Sequence, residues 1–283
     1  MKKAVKIWLI TAAVLVVLGI GLMTAALAAA DFDITKIGTI EYVTNTYKVT
    51  EKFDKIVIDE NASDIELAVS DNKQCSVVCR EPNRISHSAV VKNGVLTIGT
   101  VDDRRWYESV GLTFESPKMT VYLPEKVYDS LTVSVTSGDI IIPDAFTFNS
   151  IEITGSTSDI QCAASVTDHI QLTATTGDIK LSGVKAKKDI TIRTTTGDIT
   201  LDRAVSDNAL FAESTTGDVF LDRCDAKELT IETTTGDITG SLLSAKAFSA
   251  HTTVGDVSVP DSNASGGKCS LTTTTGDILI TLK

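Results

Sequence analysis

Aromatic side chains supply only 5% of this 283-residue chain, with five prolines and three histidines. A core built from such a sequence rests on aliphatic and small residues. The imidazoles, His87, His169 and His251, are too far apart to suggest a shared catalytic site. No H-E-x-x-H, G-x-x-x-x-G-K-[ST] or G-x-S-x-G motif occurs, and no Cys–His spacing of the metal-binding type. Cations are also in short supply: 26 Lys and Arg stand against 37 Asp and Glu, a formal net charge of −11. That balance argues against a nucleic-acid partner, because phosphate contacts need an excess of cations. Five cysteines, Cys75, Cys79, Cys162, Cys224 and Cys269, are an odd number, which excludes a full disulfide framework. Cys75 and Cys79 in one extended strand would lie about 13 Å apart, too far to bridge, so small buried thiols are expected.

What is present begins at the N-terminus. Lys2, Lys3 and Lys6 precede an uncharged run from Ile7 to Ala30. Its 24 residues reach about 36 Å as a helix, enough for a bilayer core of about 30 Å. The lysines before it, with Asp31 and Asp33 after it, orient the N-terminus toward the cytoplasm and the body outward. The small-residue stretch Ala25–Ala30 also offers signal-cleavage sites, but the length of the run favours a retained anchor. The expected organisation is a cytoplasmic stub (1–6), a membrane anchor (7–30), a polar spacer (31–52), an irregular β segment (53–124) and a repeat array (125–283).

The array dominates the sequence. Tracts of the type T-T-G-D-[IV] recur around Asp139, Asp159, Asp178, Asp198, Asp218, Asp237, Asp256 and Asp277, spaced by 20, 19, 20, 20, 19, 19 and 21 residues. Apolar residues occupy positions −8, −6, +1 and +3 relative to each aspartate, as in Ile190, Ile192, Ile199 and Leu201. Spacing by two on both sides of a turn is strand periodicity. A 20-residue unit of two short strands cannot bury its apolar face alone, so the copies must stack into an all-β parallel β-solenoid behind one transmembrane helix. Thr or Ser fills the −3 position throughout, suggesting hydroxyl ladders along the stack. A weaker copy surrounds Asp64, with Ile56, Ile58, Ile65 and Leu67 in the same frame. The last copy keeps Leu271, Thr273, Ile278 and Ile280 in the inward columns, so the rod is expected to end there with open strand edges that favour end-to-end self-association.

These tracts, together with the Lys55-Ile56-Val57-Ile58 and Ser63-Asp64-Ile65-Glu66-Leu67 opening element, resemble the DUF4097 family of β-strand-repeat adhesin-like proteins over about 230 residues from Phe53 onward. The resemblance implies a right-handed solenoid, occurrence in Gram-positive bacteria and roles in adhesion or envelope-stress response, with no established catalytic residues. The Ser158-Asp159 copy departs from the pattern by lacking its glycine.

For the eight repeat aspartates the favoured reading is structural, with glycine taking φ > 0 and the carboxylate accepting backbone N–H groups; calcium is the weaker alternative. No metal site, catalytic residue or cofactor is expected. An acidic and basic surface row, Asp202-Arg203 and Asp222-Arg223 beside Arg193 and Glu213, is read as cross-coil pairing, the alternative being a solenoid polysaccharide lyase or hydrolase. Arg104, Arg105, Trp106 and Tyr107 form the best binding tract outside the repeats. The expected function is a membrane-tethered extracytoplasmic solenoid contacting a cell-envelope component or a membrane protein.

Overall fold

The computed structural model describes residues 3–32, 41–83, 85–102, 116–263 and 266–283. A single helix, Lys3–Ala29, precedes the strands, and its Val5–Ala29 stretch is long and apolar enough to cross a membrane while burying nothing against the rest of the chain. Its length and composition fit a membrane span or a signal sequence alike.

Each repeat runs as one longer strand, the turn at its aspartate, and one shorter strand, such as Ile190–Thr196 followed by Ile199–Asp202. Equivalent strands of neighbouring coils pair in parallel, with Ile170 beside Ile190 beside Leu210 and Ile179 beside Ile199 beside Val219. This register stacks like on like, so the −8, −6, +1 and +3 columns form one continuous core in which Ile151, Leu172, Ile192, Ile199 and Leu201 are fully buried. Coils rise by about 4.8 Å, and β-branched side chains suit such a pleated, buried surface.

The N-terminal end is closed by a segment in which parallel pairing gives way to antiparallel pairing. We number its strands β1 (Tyr42–Val49), β2 (Lys55–Ala62), β3 (Asp64–Val69), β4 (Cys75–Pro82), β5 (Ile85–Lys92), β6 (Val95–Asp102) and β7 (Lys118–Leu123). The β2–β3 coil pairs directly with the Asp139 coil on one side, Ile56 with Leu131 and Ile65 with Ile140, and with β6 and β7 on the other. Beyond β6 lies β5, joined through the Asn93-Gly94 turn, in which both residues have positive φ. Beyond β7 lie β4 and then β1, both antiparallel. Residues 42–49, expected within a polar spacer, are therefore an edge strand. The alternation that buries Val49 and half-buries Tyr47 was masked by the polar residues between them.

The far end departs from the chain order. The final strands, Lys268–Thr275 and Ile278–Leu282, pair with the Asp237 coil on one side and with the Asp256 coil on the other. The spatial order is thus Asp237, Asp277, Asp256. The expected open end at Leu271, Thr273, Ile278 and Ile280 is overturned, because all four are buried between two coils. An inserted coil buries both of its stacking sides. The Asp256 coil, with its small Ala250 and partly buried Phe248, takes the exposed place instead, leaving Val254 and Val257 open to solvent.

This crossing is fastened by Lys246. Its ammonium is buried and donates to the Asp225 carboxylate, to the Ala226 carbonyl at 2.6 Å and to the Gly266 carbonyl. Gly266 passes so close to the Ala245 carbonyl that a β-carbon there would sit 1.6 Å from it. Removing one partner of a buried ion pair leaves the others unsatisfied. Lys246→Met should therefore cost about 3 kcal/mol, seen as a lower urea midpoint, and should expose residues 247–283 to protease before the rest of the solenoid.

Candidate functional sites

At every coil but the last in the stack, the aspartate carboxylate accepts the backbone N–H of the aspartate in the next coil. The ladder runs from Asp64 through Asp139, Asp159, Asp178, Asp198, Asp218 and Asp237 to Asp277 and ends at Asp256, at 2.7–3.2 Å. One rung has a sequence separation of 75 and another of 40, the two places where the stack leaves chain order. The turn glycine keeps φ between +126° and +147°, and its carbonyl lies under the next glycine. The hydroxyls that bond along the stack occupy position −4: Thr194, Ser214, Thr233, Thr273 and Thr252 donate to Gly177, Gly197, Gly217, Gly236 and Gly276 at 2.9–3.2 Å. The −3 column, where the ladder was expected, faces solvent instead, because strand alternation turns it outward.

The glycine-free copy has its own solution. Ser158 is buried, and Gly155 at position −4 vacates the space it fills: a β-carbon on Gly155 would lie 2.7 Å from the Ser158 β-carbon. The Ser158 hydroxyl has no hydrogen-bond partner among the described residues.

The −4 position of the Asp64 coil carries Glu60 instead of a small residue, and it opens a polar cluster within the cap. His87 lies beside Thr100 in the β5–β6 pair, and its Nε2 meets Glu60 Oε2 at 2.6 Å. Its Nδ1 contacts Glu81 Oε2. Thr100 donates to Glu60 Oε1 at 2.8 Å and the Asn61 amide does so at 3.0 Å. Glu81 Oε1 accepts from the Tyr47 hydroxyl at 3.0 Å and from Asn45, while the Tyr47 oxygen accepts from the His87 amide at 3.0 Å. Glu60, Glu81, His87 and Cys79 are all buried. Burial opposes charge on His87, but hydrogen bonds that its protonated ring donates to Cys79 and Glu60 outweigh it and push its pKa up to about 11. Burial likewise raises the Glu60 carboxyl, yet His87 and Thr100 reverse this and hold it below its ordinary value. The Cys79 thiol is pushed up by burial. Phase accounts for the two carboxylates, since Glu60 follows Ile56 and Ile58, and Glu81 follows Cys75, Val77 and Cys79, each at steps of two, while His87 is brought to them by the closure of the cap.

Among the other candidates, Arg104, Arg105, Trp106 and Tyr107 lie outside the described residues. The surface row forms ion pairs: Arg203 with Asp202 at 2.9 Å, Arg223 with Asp222 at 2.9 Å, and Arg193 with Glu213 across coils. Arg193 also lies 4.4 Å over the Phe211 ring. Lys283, at 2.7 Å, is the first cause of the low Asp222 pKa, about 2. All five cysteines are free and buried.

The turn geometry separates two glycines. A β-carbon on Gly197 would lie 2.1 Å from the Gly177 carbonyl at φ +143°, whereas one on Gly183, φ +70°, meets nothing within 4 Å. Gly183→Ala should cost about 1–2 kcal/mol of left-handed strain, and Gly197→Ala clearly more, because adjacent coils must separate. Thermal unfolding of the two variants in parallel measures the difference.

With this geometry in hand, comparison with known proteins is informative about fold. A presumed adhesin of Bacteroides fragilis has a crystal structure that superposes with a TM-score of 0.53 at 16% identity, covering 85% of this chain and 97% of its own. Presumed adhesins of Parabacteroides merdae and Parabacteroides distasonis follow, at 12% and 14% identity, covering 86% of this chain and 98% of theirs, with TM-scores of 0.48 and 0.45. No curated protein matches the sequence. The family model described as Toastrack DUF4097 matches residues 53–209 and 188–283. Stacked T-G-D coils and their antiparallel cap thus place this chain in the Toastrack DUF4097 family.

Proposed function

We propose that the protein is a non-catalytic, membrane-tethered solenoid, displayed outside the cytoplasm, that contacts a cell-envelope component and serves in adhesion or envelope sensing. The observation that carries this reading is the polarity of the stack. β1, the strand that follows the apolar helix, is the outermost strand of the cap, and the bare Asp256 coil lies at the opposite end. Such a molecule is held at one end and offers the other. The N-terminal lysines keep the short side inside by the positive-inside rule. The presumed-adhesin description of the Bacteroides fragilis neighbour is consistent with this role. The alternative of a glycan-cleaving solenoid gains nothing from the surface row, since Asp202, Asp222 and Glu213 are engaged by arginines.

Screening the full-length protein in liposomes against cell-wall polysaccharides is the test. Retention of a glycan without product release is expected; turnover that disappears in Asp202→Ala or Asp222→Ala would establish an enzyme.

The bare end also supports pairing of two copies. Its strand Ala247–Val254 has no charge other than that available to His251 and no proline, so it lacks the usual guards of an edge. Antiparallel addition of the same strand from a second molecule would satisfy both edges. Sedimentation over a wide concentration range should show a monomer–dimer equilibrium that Thr253→Lys shifts to monomer. A concentration-independent monomer would remove this part of the reading.

A further inference from the structure

The cap cluster holds more chemistry than an ion pair requires. Among the described residues, one group of three or more His, Cys, Asp and Glu ligand atoms lies mutually within 4.8 Å: Cys79, Glu81 and His87, all buried. Cys79 and Glu81 are two apart on β4 and so point to one face, toward His87 on β5.

We propose that Cys79 Sγ, Glu81 Oε2 and His87 Nδ1 bind a zinc-type divalent cation in the cap. The donor set is one sulfur, one nitrogen and one oxygen, which suits zinc and excludes the all-oxygen shells of calcium and magnesium. Tetrahedral zinc with bonds of about 2.0–2.3 Å needs donors roughly 3.3–3.8 Å apart, so His87 Nδ1 and Glu81 Oε2, now in direct contact, must part slightly to admit the ion.

The supporting shell is already in place. Glu60 accepts from His87 Nε2 at 2.6 Å, the carboxylate–histidine arrangement that orients the ring with Nδ1 toward Glu81 and the proposed metal position. Glu60 is itself held by Thr100 and by the Asn61 amide. Glu81 is held through its other oxygen by Tyr47 and Asn45, which leaves Oε2 turned toward His87. A cavity of about 80 Å³ lined in part by Glu60, Glu81, His87 and Thr100 has room for a water as fourth ligand. On binding, Cys79 loses its thiol proton and His87 its Nδ1 proton, both to solvent. The ion, one thiolate, one carboxylate and one neutral imidazole then sum to zero charge within the ligand set, and Glu60 adds its negative charge beside His87. Because Asn45 and Tyr47 belong to β1, the ion would also fasten the strand that follows the apolar helix to the body of the solenoid.

The experiment uses the untagged full-length protein in detergent. Chelator-treated protein titrated with Zn²⁺ should take up one equivalent, and with Co²⁺ should develop a near-ultraviolet thiolate-to-cobalt band. Cys79→Ser should abolish that band and weaken Zn²⁺ binding at least tenfold, while Cys75→Ser, on the same strand but outside the cluster, should keep both. Glu60→Gln should retain the band and weaken binding by about 10- to 100-fold, as expected for a partner outside the ligand set. Circular dichroism checks that each variant is folded; His87→Gln serves if Cys79→Ser is not. Absence of the cobalt band in the unmodified protein overturns the proposal without any variant. So does a band that survives folded Cys79→Ser or His87→Gln.

Discussion

The structure depends on one repeated constraint: the turn of each coil must lie within about 4.8 Å of the turn below it. At that distance a β-carbon collides with the glycine carbonyl beneath, which explains the glycines, and the next amide comes within reach of the aspartate carboxylate. A ladder of carboxylates at this spacing would repel itself without compensation. Here each rung has a backbone donor on it, so the ladder is built from hydrogen bonds that any further coil of the same sequence extends.

A template that accepts any matching coil does not enforce chain order, and both ends of the molecule make use of this. Near the start, the Asp64 coil is gripped between β6–β7 and the Asp139 coil; near the finish, the Asp277 coil is gripped between its two predecessors. In both cases a terminal coil is paired on two edges instead of one, and fraying requires two ladders to open. The cost falls on the Asp256 coil, whose strands pair on one side only among the described residues. Lys246 joins the Asp225, Ala226 and Gly266 segments at the crossing, where the chain deviates most from simple winding.

The cap obeys a different logic. Antiparallel β4 and β5 cannot continue the ladder, so they end the stack, and the −4 column that carries small residues in the coils becomes Glu60 facing His87 and Glu81. Polar groups at this level are tolerated because every carboxylate oxygen has a partner from β1, β5 or β6. The same completeness makes the cluster a preorganised ligand set.

Sequence alone determined the coil: its 20-residue period, its two strands, its inward columns and its turn chemistry, since all of these are local and repeat eight times. It also marked the apolar N-terminal helix. Only the tertiary structure decided which coil lies beside which, because the Asp237 carboxylate suits the amide of either following coil yet accepts that of Asp277, which in turn accepts that of Asp256, and the choice turns on burying Leu271, Ile278 and Ile280 on both sides. It decided, too, that the hydroxyl ladder is at −4 and not −3, a one-residue difference that strand alternation converts into inside against outside. The Cys79–Glu81–His87 cluster was half legible: phase placed Cys79 and Glu81 inward, but bringing His87 and Glu60 to them needed two sheets to close around the cap, and no local pattern encodes that closure.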